Sequence, residues 1–129
     1  DFNGMPEVLG AHANKAAHQL QHSRIDVDNL MRKFQLALAD RQCAMADLSQ
    51  RIQDQVVILV TCLYAARTGD EIHIAAADVL AQHLQNRISG HRPDGTFFKT
   101  ATTLGKHVIE NSDALIDKIQ AEEIMMQYK

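Results

Sequence analysis

Residues 53–66 read QDQVVILVTCLYAA, and the eleven residues from Val56 to Ala66 include no charge, no amide side chain, no Gly and no Pro. The rest of the chain is rich in Gln, Asp, Arg and His, so this run constrains the fold more than any other segment does. A membrane-spanning helix needs about 20 apolar residues. The run is too short to span a bilayer, and it predicts either a buried core helix or a helix that meets a neighbouring surface.

The composition favours helices over strands. The chain has 129 residues, with 5% aromatic residues, no Trp, two Pro and six Gly, whereas Ala, Leu and Gln are common. That length corresponds to one ordinary domain that can bury a core. The net charge of −3 argues against binding to nucleic acid and against attraction to anionic lipid.

The start of the chain and its two cysteines indicate what kind of protein and which cellular compartment it comes from. The first residue is Asp1, and no secretory or transit signal is visible, so we expect a piece of a longer protein. Cys43 and Cys62 would lie about 28 Å apart on one continuous helix, too far for a disulfide. This predicts a reducing compartment, cytoplasmic in a bacterial-type cell, with a mitochondrial location as the alternative.

The spacing of apolar residues predicts an all-α fold, an antiparallel bundle of about four to five helices in one domain. A first segment follows Pro6, but Gly10 and several histidines dilute its apolar stripe. We therefore expect residues 1–24 to be weakly held and the bundle to occupy residues 25–129. A second segment is predicted to begin near Ser23–Asp26, where a side chain could cap the helix.

Turn residues delimit the later segments. The polar patch ADRQ at 39–42 is the plausible break before the third segment, which ends at Gly69. Its predicted inner face comprises Leu48, Ile52, Val56, Leu59 and Leu63. The fourth segment follows Asp70 and stops at Gly90, and Asp94 or Thr96 caps the fifth. The final helix, from Ser112 or Asp113, is predicted to bury Leu115, Ile116 and Ile119.

Three residues resemble the start of a metal site. His18, His22 and Asp26 lie at i, i+4 and i+8, a spacing that can bind metal on one helix face. This line crosses the helix boundary predicted at Ser23–Asp26, and no Glu follows His18 as in a zinc protease. We therefore interpret it as a solvated face, which a zinc titration tests.

No other pattern of catalytic chemistry stands out. A di-iron bundle needs Glu-x-x-His motifs on two helices, and only Glu71 and His73 approach one. We expect Cys62 to be inert packing and His83 and His107 to face water. The glycine-containing loop at 89–96 follows a helix, so it is no phosphate-binding loop. We therefore expect no catalytic, cofactor-binding or metal-binding residue in these 129 residues.

The apolar run itself has two interpretations. In the first, all of it is core, since a helix that is apolar all round is buried on several sides. In the second, one face meets another domain or subunit, because a small bundle rarely buries every side of one helix. The candidate interface residues are then Val57, Ile58 and Tyr64.

Three segments in succession resemble one known family. LSQRIQDQVVILVTCLYAAR at 48–67, with Asp54 before the apolar stretch and Arg67 after it, resembles the long helix in the C-terminal domain of very-long-chain-type acyl-CoA dehydrogenases. AAADVLAQHLQNRI at 75–88 is similar to the next family helix, and FFKTATTLGKHVIEN at 97–111 to the stretch before the last helix. The family often has a Gly-containing break before its central helix, which this chain lacks.

The resemblance implies an architectural role. It predicts a non-catalytic C-terminal helical domain of a flavoenzyme of fatty-acid β-oxidation, with FAD bound and an acyl-CoA oxidised in other domains of the parent chain. It also implies packing on those catalytic domains and a homo-oligomer, with membrane attachment in mitochondrial members. Two alternatives remain open: a free-standing helical interaction module, and peripheral membrane binding through residues 113–126, whose charges are mixed rather than basic.

Overall fold

The structure, a computed structural model, describes residues 2–34 and 41–117. It contains five helices, α1 (Glu7–Phe34), α2 (Gln42–Thr68), α3 (Glu71–Ser89), α4 (Gly95–Glu110) and α5 (Ser112–Asp117). Within these ranges the chain forms no strand. The predicted all-α bundle is thereby confirmed.

Pairs of side chains give the directions of the helices. His12 and Gln19 of α1 pair with Asp78 and Gln85 of α3, so a step of seven residues forward in α1 matches a step of seven forward in α3. These two helices are therefore parallel, and α2, which connects them, runs antiparallel to both. α4 packs against α3 alone among the three long helices.

The core lies between α1, α2 and α3. Its buried positions alternate steps of three and four residues on each helix, as in a bundle with coiled-coil-like packing. They are Leu9, Ala13 and Ala16; Ile58, Cys62 and Ala65; and Ala77, Ala81 and Leu84. Five of these nine are alanines, so the three helices meet through short side chains.

The predicted boundary near Ser23–Asp26 is wrong, since α1 continues through it to Phe34. The Ser23 hydroxyl donates a hydrogen bond to the carbonyl oxygen of Gln19, one turn earlier, instead of capping a new helix. Leu9, Ala13 and Ala16 are fully buried. The segment that we expected to be weakly held thus supplies a third of the core.

The predicted helix ends at glycines and aspartates are confirmed. Gly69 and Gly90 end α2 and α3 in the left-handed conformation, with φ of 67° and 71°. The carboxylates of Asp70 and Asp94 accept hydrogen bonds from the first-turn amides of α3 and α4. Residues 39 and 40 of the ADRQ patch lie outside the described residues, and α2 begins at Gln42, the last residue of the patch.

The C-terminal helices are largely exposed. No residue of α4 is fully buried, although its aromatic end contacts α3 through the rings of Phe97 and His83, 6.4 Å apart. Leu115 is half-buried, but Ile116 is 63% exposed. Its predicted burial is wrong because α5 packs only against α4, and Ile119 lies outside the described residues.

Candidate interaction surface

One side of α2 exposes apolar side chains, most of them in its C-terminal half. These residues recur at helical spacing and define what we term the α2 outer face: Met45, Val56, Val57, Val60, Leu63 and Tyr64. Their exposure ranges from 41% at Met45 to 61% at Tyr64. Five of the six lie within residues 56–64, about 12 Å at 1.5 Å per residue, whereas Met45 stands eleven residues earlier, beyond exposed Ser49 and Gln53. None of these six side chains is charged.

The three predicted interface residues do not all lie on the same side of α2. Val57 and Tyr64 lie on the α2 outer face, but Ile58 is fully buried in the core, so its assignment to an exposed face is wrong. Ile58 precedes Cys62 and Ala65 by four and seven residues, which places all three on the side that faces α1 and α3.

The predicted inner face of α2 is also partly wrong. Val56 and Leu63 are each 44% exposed, whereas Gln55 and Asp54 are buried. Sequence reasoning missed Val60, the most exposed of the four aliphatic residues that follow Gln55 on this face. The polar residues of the inner face concealed the true periodicity, because Gln55 lies seven residues before Cys62 on that side.

A second apolar surface lies where the α1–α2 hairpin extends past α3. Because Gln19 pairs with Gln85, the last residue of α3, Ser89, is level with about Ser23. Among the described residues, no third helix therefore packs on the remainder of α1 and the first turns of α2. Between them is a groove of about 370 Å³, the hairpin groove, lined by Val27, Leu30, Met31, Met45, Leu48, Ser49, Ile52 and Gln53.

Polar pairs tie the three core helices together just inside this hairpin. Asp54, 2% exposed, accepts a hydrogen bond from Arg87 Nε at 2.7 Å, another from Arg87 Nη2, and one from Gln50 at 3.0 Å. The Ser23 hydroxyl, whose one hydrogen also faces the Gln19 carbonyl, contacts Gln55 Oε1 at 3.0 Å. These bonds fix α2 against both neighbours, so the direction of its outer face is set by specific contacts.

A further pair joins α1 to α3. His12 Nε2 lies 2.7 Å from Asp78 Oδ1, and Gln82 donates to the same carboxylate oxygen at 3.0 Å. The His12 and Asp78 side chains are 18% and 19% exposed. A histidine held by a carboxylate resembles part of a catalytic triad, but no hydroxyl or thiol contact to His12 is seen in the described residues. The pair links α1 to α3.

Two carboxylate-linked or buried groups of the core, Asp54 and Cys62, have shifted pKa values. The hydrogen bond from Arg87 holds the pKa of Asp54 below its ordinary value, and the same bond raises the pKa of Arg87. Burial, with a smaller contribution from the Asp78 charge, raises the pKa of Cys62 to about 11. At neutral pH this thiol is protonated and shielded, as expected for inert packing.

The other residues considered from sequence are dispersed. Cys43 is exposed and Cys62 buried, both as free thiols. His83 and His107 are exposed, and His73 is half-buried beside the ring of Tyr64. Over residues 2–34 and 41–117, no group of three or more His, Cys, Asp or Glu is arranged to hold a metal ion. His18 and His22 meet through their Nε2 atoms on α1.

Comparisons of the chain with protein-family models, curated proteins and solved structures find no match. The resemblance to acyl-CoA dehydrogenases is a likeness of sequence segments alone. No helix in the described part of the chain has the length and apolar character needed to cross a membrane.

Proposed function

We propose that this chain is a non-catalytic architectural module whose α2 outer face packs against another protein surface. The exposure of six uncharged apolar side chains along one helix carries this proposal. Contiguous apolar patches on soluble proteins mark interaction sites, whereas scattered ones do not. Covering the exposed part of each side chain contributes on the order of 1 kcal/mol.

The partner that we propose is the catalytic body of a parent acyl-CoA dehydrogenase. The three segments that resemble this family, at 48–67, 75–88 and 97–111, each coincide with one helix, α2, α3 and α4 in turn. FAD would be bound by the parent, because the resemblance implies that the flavin site belongs to its other domains. Packing on those domains, or on a second copy of the chain, would shape the oligomer.

A free-standing interaction module is the second candidate, and the hairpin groove favours it. Two helices line this groove with apolar side chains such as Leu30, Met31 and Ile52, and a groove of this kind accepts the apolar face of a third helix. In that case the partner is a separate protein with an amphipathic helix, and the chain needs no flavoprotein neighbour.

Photo-crosslinking in the native protein tests both candidates. A benzoylphenylalanine is placed at Val60 on the α2 outer face, at Met31 in the hairpin groove, or at Lys106, an exposed control on α4. We expect Val60 to crosslink to a flavin-binding part of the same protein, with a flavin absorbance in the purified sample. Crosslinks from Met31 to an unrelated protein, without flavin, would support the module. If Val60 crosslinks no more than Lys106, the α2 outer face is not an interface.

A further inference from the structure

Two histidines on the outer side of α1 lie unusually close together. His18 and His22 are both exposed, and their Nε2 atoms are 3.1 Å apart. They stand one turn apart on a helix that continues unbroken to Phe34. The helix boundary that argued against a metal site at this position therefore does not exist.

The separation of the two nitrogens matches that of two ligands on one metal ion. With metal–nitrogen bonds of about 2.0–2.1 Å, two imidazole nitrogens lie roughly 2.9 Å apart at a right angle and 3.4 Å apart at a tetrahedral angle. The observed 3.1 Å lies within this range. The rings meet edge to face, with centroids 4.3 Å apart, so the nitrogens face each other while the rings remain clear of one another.

We propose that His18 and His22 form a two-histidine chelate for a divalent transition-metal ion of the zinc, nickel or copper class. Imidazole suits these ions, and their affinities should follow the order in which copper exceeds nickel and zinc. In the absence of metal, one Nε2–H donates a hydrogen bond to the other Nε2. When the ion binds, that hydrogen moves to Nδ1 of the same ring through water, so that both Nε2 lone pairs coordinate the ion.

The surroundings make this an exposed and exchangeable site. Asp26, one turn beyond His22, is also exposed on α1 and adds negative charge, while Lys15, one turn before His18, opposes it. Because the described residues bring no third protein ligand into the group, water completes the coordination. Such a site binds and releases metal readily, unlike the closed four-ligand sites that hold structural zinc.

Metal binding is coupled to the folding of α1. Residues 18 and 22 approach one another only when this turn is helical, so the ion binds the folded chain better than the unfolded one and raises its melting temperature. The same helix contributes Leu9, Ala13 and Ala16 to the core. The rise should therefore be seen in the unfolding of the whole bundle.

Calorimetric titration of the full chain, purified without a histidine tag, with NiCl2 and with ZnCl2 tests the proposal. We expect one ion per chain, with at least a tenfold loss of affinity in His18→Ala and in His22→Ala. His107→Ala, which removes a single exposed histidine from α4, is the matched control and should bind as the wild type does. Circular dichroism confirms that each variant is folded, which is expected because both rings are exposed.

Three outcomes would overturn the proposal. The first is no binding heat from either ion together with no metal-induced rise in melting temperature. The second is binding that survives His22→Ala with unchanged affinity. The third is an equal loss of affinity in His107→Ala, which would indicate nonspecific binding by the seven histidines of the chain.

Discussion

Replacement of Asp54 by Ala tests whether the buried ion pair holds α2 against α3. Asp54 is 2% exposed and accepts hydrogen bonds from Arg87 and Gln50. A hydrogen bond to a charged group contributes about 1.5–3 kcal/mol net. The substitution would remove more than one such hydrogen bond. The Arg87 side chain is 51% exposed, so water can satisfy its donors, and Ala is the better helix former. We expect a net loss of about 2 kcal/mol in the free energy of unfolding.

The pH dependence of this loss follows from the direction of the pKa shift. Arg87 lowers the pKa of Asp54 in the folded chain, so the carboxylate stabilises the fold at pH values above its ordinary pKa of about 4. This contribution disappears as the pH falls through the lowered pKa of the folded state. The difference between wild type and variant should thus be full at pH 7 and shrink below about pH 4.

Urea unfolding followed by circular dichroism at pH 7 and at lower pH measures both effects, since the chain has no Trp for fluorescence. Asp47→Ala is the matched control, because Asp47 pairs with Arg51 at 3.1 Å on the surface of the same helix. Exposed pairs contribute little, so this control should lose at most about 0.5 kcal/mol. If Asp54→Ala costs no more than Asp47→Ala, or its cost does not depend on pH, the ion pair does not stabilise the bundle.

Three further tests, one by alkylation and two by substitution, concern separate parts of the fold. Iodoacetamide at pH 8 should alkylate exposed Cys43 but not Cys62, whose pKa is raised to about 11 by burial; mass spectrometry showing two adducts on the native chain would contradict this. Ala81→Leu should destabilise the alanine-rich core by about 1–3 kcal/mol in thermal unfolding, and an unchanged melting temperature would mean that the core has room. Gly69→Ala should lower the free energy of unfolding by about 1 kcal/mol because the φ of Gly69 is 67°. Gly105→Ala, inside α4, should instead stabilise the chain. Equal effects of the two substitutions in urea unfolding would refute the left-handed helix end at Gly69.

The sequence was sufficient to predict the helical class and most helix ends, because these depend on local chemistry. Gly69 and Asp94, for example, stop or start helices through their own backbone and side-chain preferences. The continuity of α1 was not predictable in this way, since Ser23 is equally suited to cap a helix or to bond back to the preceding turn. In the structure its hydroxyl also contacts Gln55, a partner that is 32 residues away.

Which side of α2 faces outward depends on contacts with other helices, and the sequence of α2 alone does not contain them. Its inner side carries Asp54 and Gln55, which are tolerated there only because Arg87 and Ser23 lie opposite. From the apolar residues alone, Val56 was assigned to the core and Ile58 to the interface, the reverse of their positions. Val57 and Tyr64 were assigned to the exposed side as the structure has them.

The central claim, that a protein surface covers the α2 outer face, is tested most directly by hydroxyl-radical footprinting of the native protein. Tyr64 on that face and Phe98 on α4 are 61% and 57% exposed in the chain alone, so without a partner their oxidation should be slowed to a similar extent relative to the urea-unfolded protein. If a partner covers the α2 outer face, Tyr64 should be protected several-fold more strongly than Phe98. Equal protection of the two rings would contradict the proposed architectural role.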